Sequence, residues 1–197
     1  MTFFKVKITQ EMIESAIARA LDLPKYDKNF KQYIQEEGDG EITAKVDGII
    51  GERVAEIWLQ ANGFNYIDCR NQTTHDYLVE SRIKLEVKAK RRTVIPKLEY
   101  EATVPQYVHD IQKPTAYLFV SHHLRSGRDY DFSRYIDSYV VGGISRKRFD
   151  PLKRAIVEGE LDPSNNWICT EACYNISISQ LFNPREYAQK FTQFLKV

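Results

Sequence analysis

Three cysteines, Cys69, Cys169 and Cys173, are too few and wrong in parity for a disulfide framework in a chain of 197 residues. A zinc or iron–sulfur site normally draws on four ligands, so buried free thiols are the expectation for all three. No apolar run reaches the ~20 residues of a membrane-spanning helix, and the N-terminus lacks the charged-then-apolar pattern of a secretion signal. The expectation is a soluble, cytoplasmic, reduced protein with no membrane partner. Charge of either sign is not in excess: 28 Lys and Arg against 27 Asp and Glu leave a net +1. Composition alone therefore gives no vote for nucleic acid, although a local basic patch can sit on a nearly neutral chain. Internal repeats and low-complexity tracts are missing too.

What is there suits one domain with a sizeable core. The chain is 43% hydrophobic and carries 12 Tyr, 10 Phe and 2 Trp, which leaves little room for long disorder. We read residues 1–197 as one domain: an N-terminal helical extension (1–47), a core (48–145), and a C-terminal strand and helix (146–197). Residues 9–22 have helical periodicity, with Thr9 as N-cap and Pro24 as stop. A weaker helical stretch covers 27–36, before a turn at Gly38-Asp39-Gly40. Residues 48–62 form a stronger helix ending at Gly63; Ile50, Val54, Ile57, Trp58 and Ala61 share its apolar arc, and Glu52 lies at the border.

Strands are expected at 64–69, 76–80, 82–90, 115–121 and 137–142, with His122 and His123 in a loop beyond the fourth. A helix is expected between Pro96 and Pro114, a short basic helix or turn within 145–158, and a last helix at 184–196. The order predicts an α/β sandwich around one mixed central sheet.

The strand at 82–90 carries the chemistry. Ile83, Leu85, Val87 and Ala89 alternate strictly with Arg82, Lys84, Glu86, Lys88 and Lys90. Glu86 and Lys88 therefore share a face, about 6.5–7 Å apart, while Val87 anchors the strand from the other. If residues 76–80 pair with 82–86 across a turn near Ser81, Asp76 comes opposite Glu86, about 4.5–5.5 Å away. That turn lacks an Asn-Gly or Asp-Gly signature. Two carboxylates so close repel unless a cation lies between them, and hard oxygen donors suit Mg²⁺. Such a metal would activate water for phosphodiester hydrolysis, Lys88 would orient that water or stabilise the transition state, and Glu52 could bind a second metal or position a water.

A helix glutamate, then Asp, then Glu-x-Lys resembles the PD-(D/E)XK nuclease superfamily, the restriction-endonuclease-like fold. Gly51-Glu52-Arg53-Val54-Ala55, followed by Leu59 and Gly63-Phe64, is similar to the first helix of its resolvase-like and phage-type members. The resemblance covers residues 48–92. It implies a mixed sheet flanked by helices, DNA as substrate, Mg²⁺ or Mn²⁺ as cofactor, and often a homodimer. It also implies Glu52, Asp76, Glu86 and Lys88 as catalytic residues. The metal would be held by Asp76, Glu86 and the Val87 backbone carbonyl, with Glu52 as a further candidate. His75 stands where the motif has proline, and no Gln-and-Tyr motif of the exonuclease members follows Lys88. An endonuclease is therefore expected; a DNA exonuclease or a catalytically silent nucleic-acid-binding module of the same fold are the alternatives. His75, the run Lys90-Arg91-Arg92 leaving the catalytic strand, and Arg146-Lys147-Arg148 are the candidate nucleic-acid contacts.

Overall fold

In the central strand β6 (Ala116–Leu124) the side chains alternate between two hydrophobic clusters: Ala116, Leu118 and Val120 join one, Tyr117 and Phe119 the other. A strand buried on both faces requires a cover on each side, and the rest of the chain supplies them. These statements come from a computed structural model that describes residues 2–23, 39–71, 74–128, 130–162 and 167–194.

The main sheet has the order β1-β7-β6-β4-β3-β2. It comprises β1 (Phe4–Lys7), β2 (Tyr66–Asp68), β3 (Tyr77–Val79), β4 (Ile83–Arg92), β6 and β7 (Tyr135–Ser145). β4 and β6 run parallel and the other neighbours antiparallel, so the sheet is mixed and the class is α/β, as expected. Its first face is covered by α1 (Gln10–Asp22), α2 (Asp39–Ala61) and α4 (Pro184–Phe194). Thr9 caps α1 by accepting from Met12 N at 3.2 Å. Gly143 admits α4: a Cβ there would come within 2.0 Å of the Tyr187 ring, which also stacks on Trp58 of α2.

The second face is covered by a smaller sheet of order β5-β11-β8, made of β5 (Glu101–Pro105), β8 (Arg154–Ile156) and β11 (Cys173–Ser177). The short pair β9 (Leu161–Asp162) and β10 (Trp167–Ile168) adjoins it, and α3 (Arg146–Phe149) follows β7. Among the described residues no helix is long and apolar enough to cross a membrane.

Several elements differ from the sequence reading. The N-terminal segment is not only helical, because β1 completes an edge of the main sheet against β7. α2 begins at Asp39, where a turn was expected; the stretch 27–36 lies outside the described residues. Between Pro96 and Pro114 the chain forms β5 and then one π-helical turn, Val108–Gln112. Ala102 and Val104 are buried at a period of two, which suits a strand. The C-terminal part contributes four strands rather than one. His122 and His123 belong to β6 itself, and His122 is fully buried between Ser138 Oγ (2.6 Å) and the Asp47 carbonyl (2.9 Å).

Candidate active site

The β3–β4 hairpin turns through Glu80 (φ 50°) and Ser81 (φ 57°), two left-handed residues without glycine. Asn65 compensates: its carbonyl accepts from Glu80 N at 2.8 Å, and its own N–H donates to the Glu80 carboxylate at 2.8 Å. The resulting register pairs Tyr77 with Leu85, Leu78 with Lys84 and Val79 with Ile83. One step further, Asp76 lies opposite Glu86, as the alternating pattern predicts, and Asp76 N donates to the Leu85 carbonyl at 3.0 Å.

There the backbone ladder ends and a side chain replaces it. Val87 N donates to Asp76 Oδ2 at 2.7 Å, so the edge of β4 that would pair with another strand is capped by a carboxylate. The Val87 carbonyl lies along that same edge. Leu85 and Val87 are buried in the helix-side core. On the opposite face Glu86 is buried and Lys88 retains 21% exposure; Lys88 Nζ donates to Glu86 Oε1 at 2.7 Å.

Glu52 reaches this corner because α2 crosses β4 at a glycine. A Cβ on Gly51 would lie 2.7 Å from the Ala89 Cβ. The Tyr77 hydroxyl, adjacent in sequence to Asp76, donates to the Glu52 carbonyl at 2.9 Å and ties helix to strand. Among the described residues Glu52 Oε2 is buried without a hydrogen bond, and its ion pairs are longer, to Arg70 at 3.5 Å and Arg19 at 3.9 Å. Asp76, bonded to the Val87 N–H, thus lies beside the bonded pair Glu86–Lys88, with Glu52 behind them on the helix side.

Electrostatics single out the same corner. Burial, then the charges of Glu86 and Glu52, push the Asp76 carboxyl well above the usual range, against Lys88 and the Val87 N–H. Burial also raises Glu52, against Arg19, Arg70 and Lys88. For Lys88 burial acts to lower the pKa, but Glu86, Asp76 and Glu52 outweigh it and the ammonium is held. Asp76 and Glu86 share the one ammonium of Lys88, while Glu52 behind them also faces Arg19 and Arg70.

Asp76 uses Oδ2 and Glu86 uses Oε1, which leaves Oδ1 and Oε2 without a donor among the described residues. With the Val87 carbonyl these are hard oxygen donors, which fits Mg²⁺ or Mn²⁺. Three or more His, Cys, Asp or Glu do not converge on one point anywhere among the described residues, so protein and water would have to share the coordination.

The candidate nucleic-acid residues are distributed differently. His75 is buried beside Asp76; its Nδ1 bonds Thr74 Oγ1 at 2.8 Å, and its buried Nε2 has no hydrogen-bond partner among the described residues. Burial and Lys84 lower its pKa, against Glu86. Lys90, Arg91 and Arg92 do not leave the strand, because β4 runs to Arg92. Lys90 donates to Thr103 Oγ1 at 3.0 Å, Arg91 pairs with Asp47 at 2.8 Å, and Arg92 donates to the Glu101 carbonyl at 2.6 Å beside the Tyr100 ring. Arg146 opens α3 and donates to the His109 carbonyl, Lys147 is exposed, and Arg148 lies over the Phe182 ring at 4.4 Å.

Arg19, Arg70, Tyr77 and Glu171 were not among the sequence candidates. Arg19, Arg70 and Tyr77 act on Glu52, and Glu171, on the turn before β11, interacts with the charge of Lys88. Arg19 and Glu171 come from distant segments, and no local spacing connects them to Glu-x-Lys. All three cysteines are buried and free, as expected. No protein-family model, no curated protein and no solved structure matches the chain.

Proposed function

We propose that the chain is a metal-dependent endonuclease that hydrolyses phosphodiester bonds in DNA, on a restriction-endonuclease-like scaffold of the PD-(D/E)XK type. The observation that carries this reading is the hairpin register, which sets Asp76 opposite Glu86 while Lys88 bonds Glu86 on the same face. A buried group of that composition has no evident structural use. A carboxylate pushed well above its ordinary range by burial, and then by neighbouring carboxylates, destabilises the fold when ionised unless a cation joins it.

Asp76, Glu86 and the Val87 carbonyl would hold Mg²⁺ or Mn²⁺, with Glu52 as a further ligand or a holder of water. Such an ion, when bound, supplies Lewis-acid polarisation of the phosphoryl oxygen and acidifies a water. The protein's own groups do the positioning. Val87 N–H fixes the rotation of the Asp76 carboxylate. Glu86 holds the Lys88 ammonium at the reacting centre, where its remaining protons can donate to a phosphoryl oxygen or orient the attacking water. Tyr77 holds Glu52 in reach. One such site cuts one strand, so a double-strand break calls for two copies of the chain or two successive events.

Plasmid nicking and linearisation in Mg²⁺ and Mn²⁺ tests the proposal with wild type, Asp76→Ala and Lys88→Ala. Wild type is expected to cleave, EDTA to stop it, and each substitution to lower the rate by roughly 10²–10⁴-fold. A folded wild type that binds DNA without cutting it would point instead to a silent binding module. Cleavage that survives both substitutions would place the chemistry elsewhere.

A further inference from the structure

Beyond Lys88 a cleft of about 680 Å³ opens over the outer face of β4, lined among others by Lys88, Lys90, Thr103, Cys173 and Glu171. Glu171 stands on the turn that leads into β11, and this turn is fastened at three points. Cys169 Sγ donates to the Glu171 carbonyl at 2.8 Å, the Cys169 and Cys173 sulfurs are 3.6 Å apart, and Gln106 N donates to the Ala172 carbonyl at 2.9 Å. On this held backbone Glu171 Oε1 is sealed from solvent and has no hydrogen-bond partner among the described residues. Its neighbours are treated otherwise: Asn175 is bonded to Glu101 (3.0 Å) and Asp162 (3.1 Å), and both carboxylates share Arg154. A lone unsatisfied carboxylate oxygen in a well-paired region is the kind of expense that functional sites retain.

We infer that Glu171 is a further catalytic residue, the base that takes a proton from the attacking water across the cleft from Lys88. This rests on the nuclease reading. As the water oxygen forms its bond to phosphorus, one water proton passes to a Glu171 oxygen. The bond from phosphorus to the leaving sugar oxygen breaks, and its electron pair departs with that oxygen, which takes a proton from solvent. Glu171 then returns its proton to solvent, and nothing is oxidised or reduced.

The surroundings suit that task. Burial and the charge of Glu158 raise the carboxyl to about 7, with Lys88 opposing. The other charged or titratable groups of the cleft are Lys90 and Arg91 of β4, Asp162 of β9, and the thiols Cys169 and Cys173. A base that titrates near neutrality combines an ionised population with the power to accept a proton.

The test is the pH–rate profile of single-turnover DNA cleavage from pH 5.5 to 9 for wild type, Glu171→Gln and Glu171→Asp, with melting temperature and metal-free DNA affinity measured alongside. The expected result is a wild-type rate that rises through about pH 7. Glu171→Gln should be folded and bind DNA as before, yet be slower by about 10²-fold or more without that rise. Glu171→Asp should keep the rise at a shifted pH. A Glu171→Gln rate within threefold of wild type, or a slow variant with an unchanged profile, would overturn the inference and leave the nuclease reading intact. A wild type inert at every pH in both metals would overturn both.

Discussion

At the scale of single residues, the sharpest consequence concerns Asp76 without metal. Its pKa is raised in the folded state, first by burial and then by Glu86 and Glu52. A raised carboxyl favours the fold most below the unfolded value, about 3.9, and that contribution is lost as pH rises through the elevated folded value. Asparagine retains an oxygen for the Val87 N–H but carries no charge. Asp76→Asn in EDTA is therefore expected to melt above wild type at pH 8, by about 2–4 °C for roughly 1 kcal/mol, and the gap should close toward pH 4. Mg²⁺ should raise the wild-type melting temperature and leave the variant's unchanged. A variant less stable than wild type at pH 8, with an equal response to Mg²⁺, would remove Asp76 from the metal site. Asp76, Glu86 and Lys88 were legible in the sequence because strand periodicity and a two-residue turn are local rules. Glu171 was not, since a turn some eighty residues further on brings it to Lys88, and local spacing carries no record of that return.

The legibility of elements follows the same division. The stretch 82–90 announced itself as a strand because its alternation is strict, and the helix around 48–62 because its apolar arc is continuous. β1 and β5 were hidden: each is short, and each is fixed by pairing to a distant partner, β7 and β11 respectively. The Glu80-Ser81 turn was also without its usual glycine, since Asn65 from outside the hairpin holds it. The closeness of α2 to β4 shows how an element-level contact serves the site. At Gly51 the helix and Ala89 leave no space for a methyl group. Gly51→Ala would gain up to ~1 kcal/mol of helix propensity but must lift α2 from the sheet, for a net loss of about 1–2 kcal/mol. Glu52 is the next residue, so the cleavage rate should fall further than the stability, by tenfold or more. Adding Ala89→Gly should restore the rate in part, read as a coupling energy in a double-mutant cycle. Unchanged melting and unchanged rate in Gly51→Ala would mean that Glu52 does not need this approach.

At the scale of the whole molecule, the candidate site lies between two bodies of different construction. The helix side is an apolar core in which Trp58, Tyr187 and Phe191 pack edge and face. On the other side the small sheet is fastened to β4 and β9 by a polar chain. Lys90 donates to Thr103 (3.0 Å), Thr103 to Asn175 (2.7 Å), and Arg154 bridges Glu101 and Asp162 at 2.8 Å each. Asp162 and Asn175 are almost wholly buried, so this chain depends on each member being satisfied. Substituting Asn175 by Ala removes an amide that serves three of these groups, Thr103, Glu101 and Asp162, and is expected to destabilise the fold by about 1–3 kcal/mol. Arg154→Ala, at a partly exposed side chain, should cost less than the ~3–5 kcal/mol typical of a broken buried pair. Because the damage falls on one body, amide exchange should quicken across residues 101–105 and 154–177 while α1 and α2 keep their protection. Cleavage should slow in both variants, since the wall bearing Glu171 loosens. Exchange that rises uniformly over both sheets would mean that the molecule opens as one unit, and that the small sheet has no separate freedom through which to admit DNA.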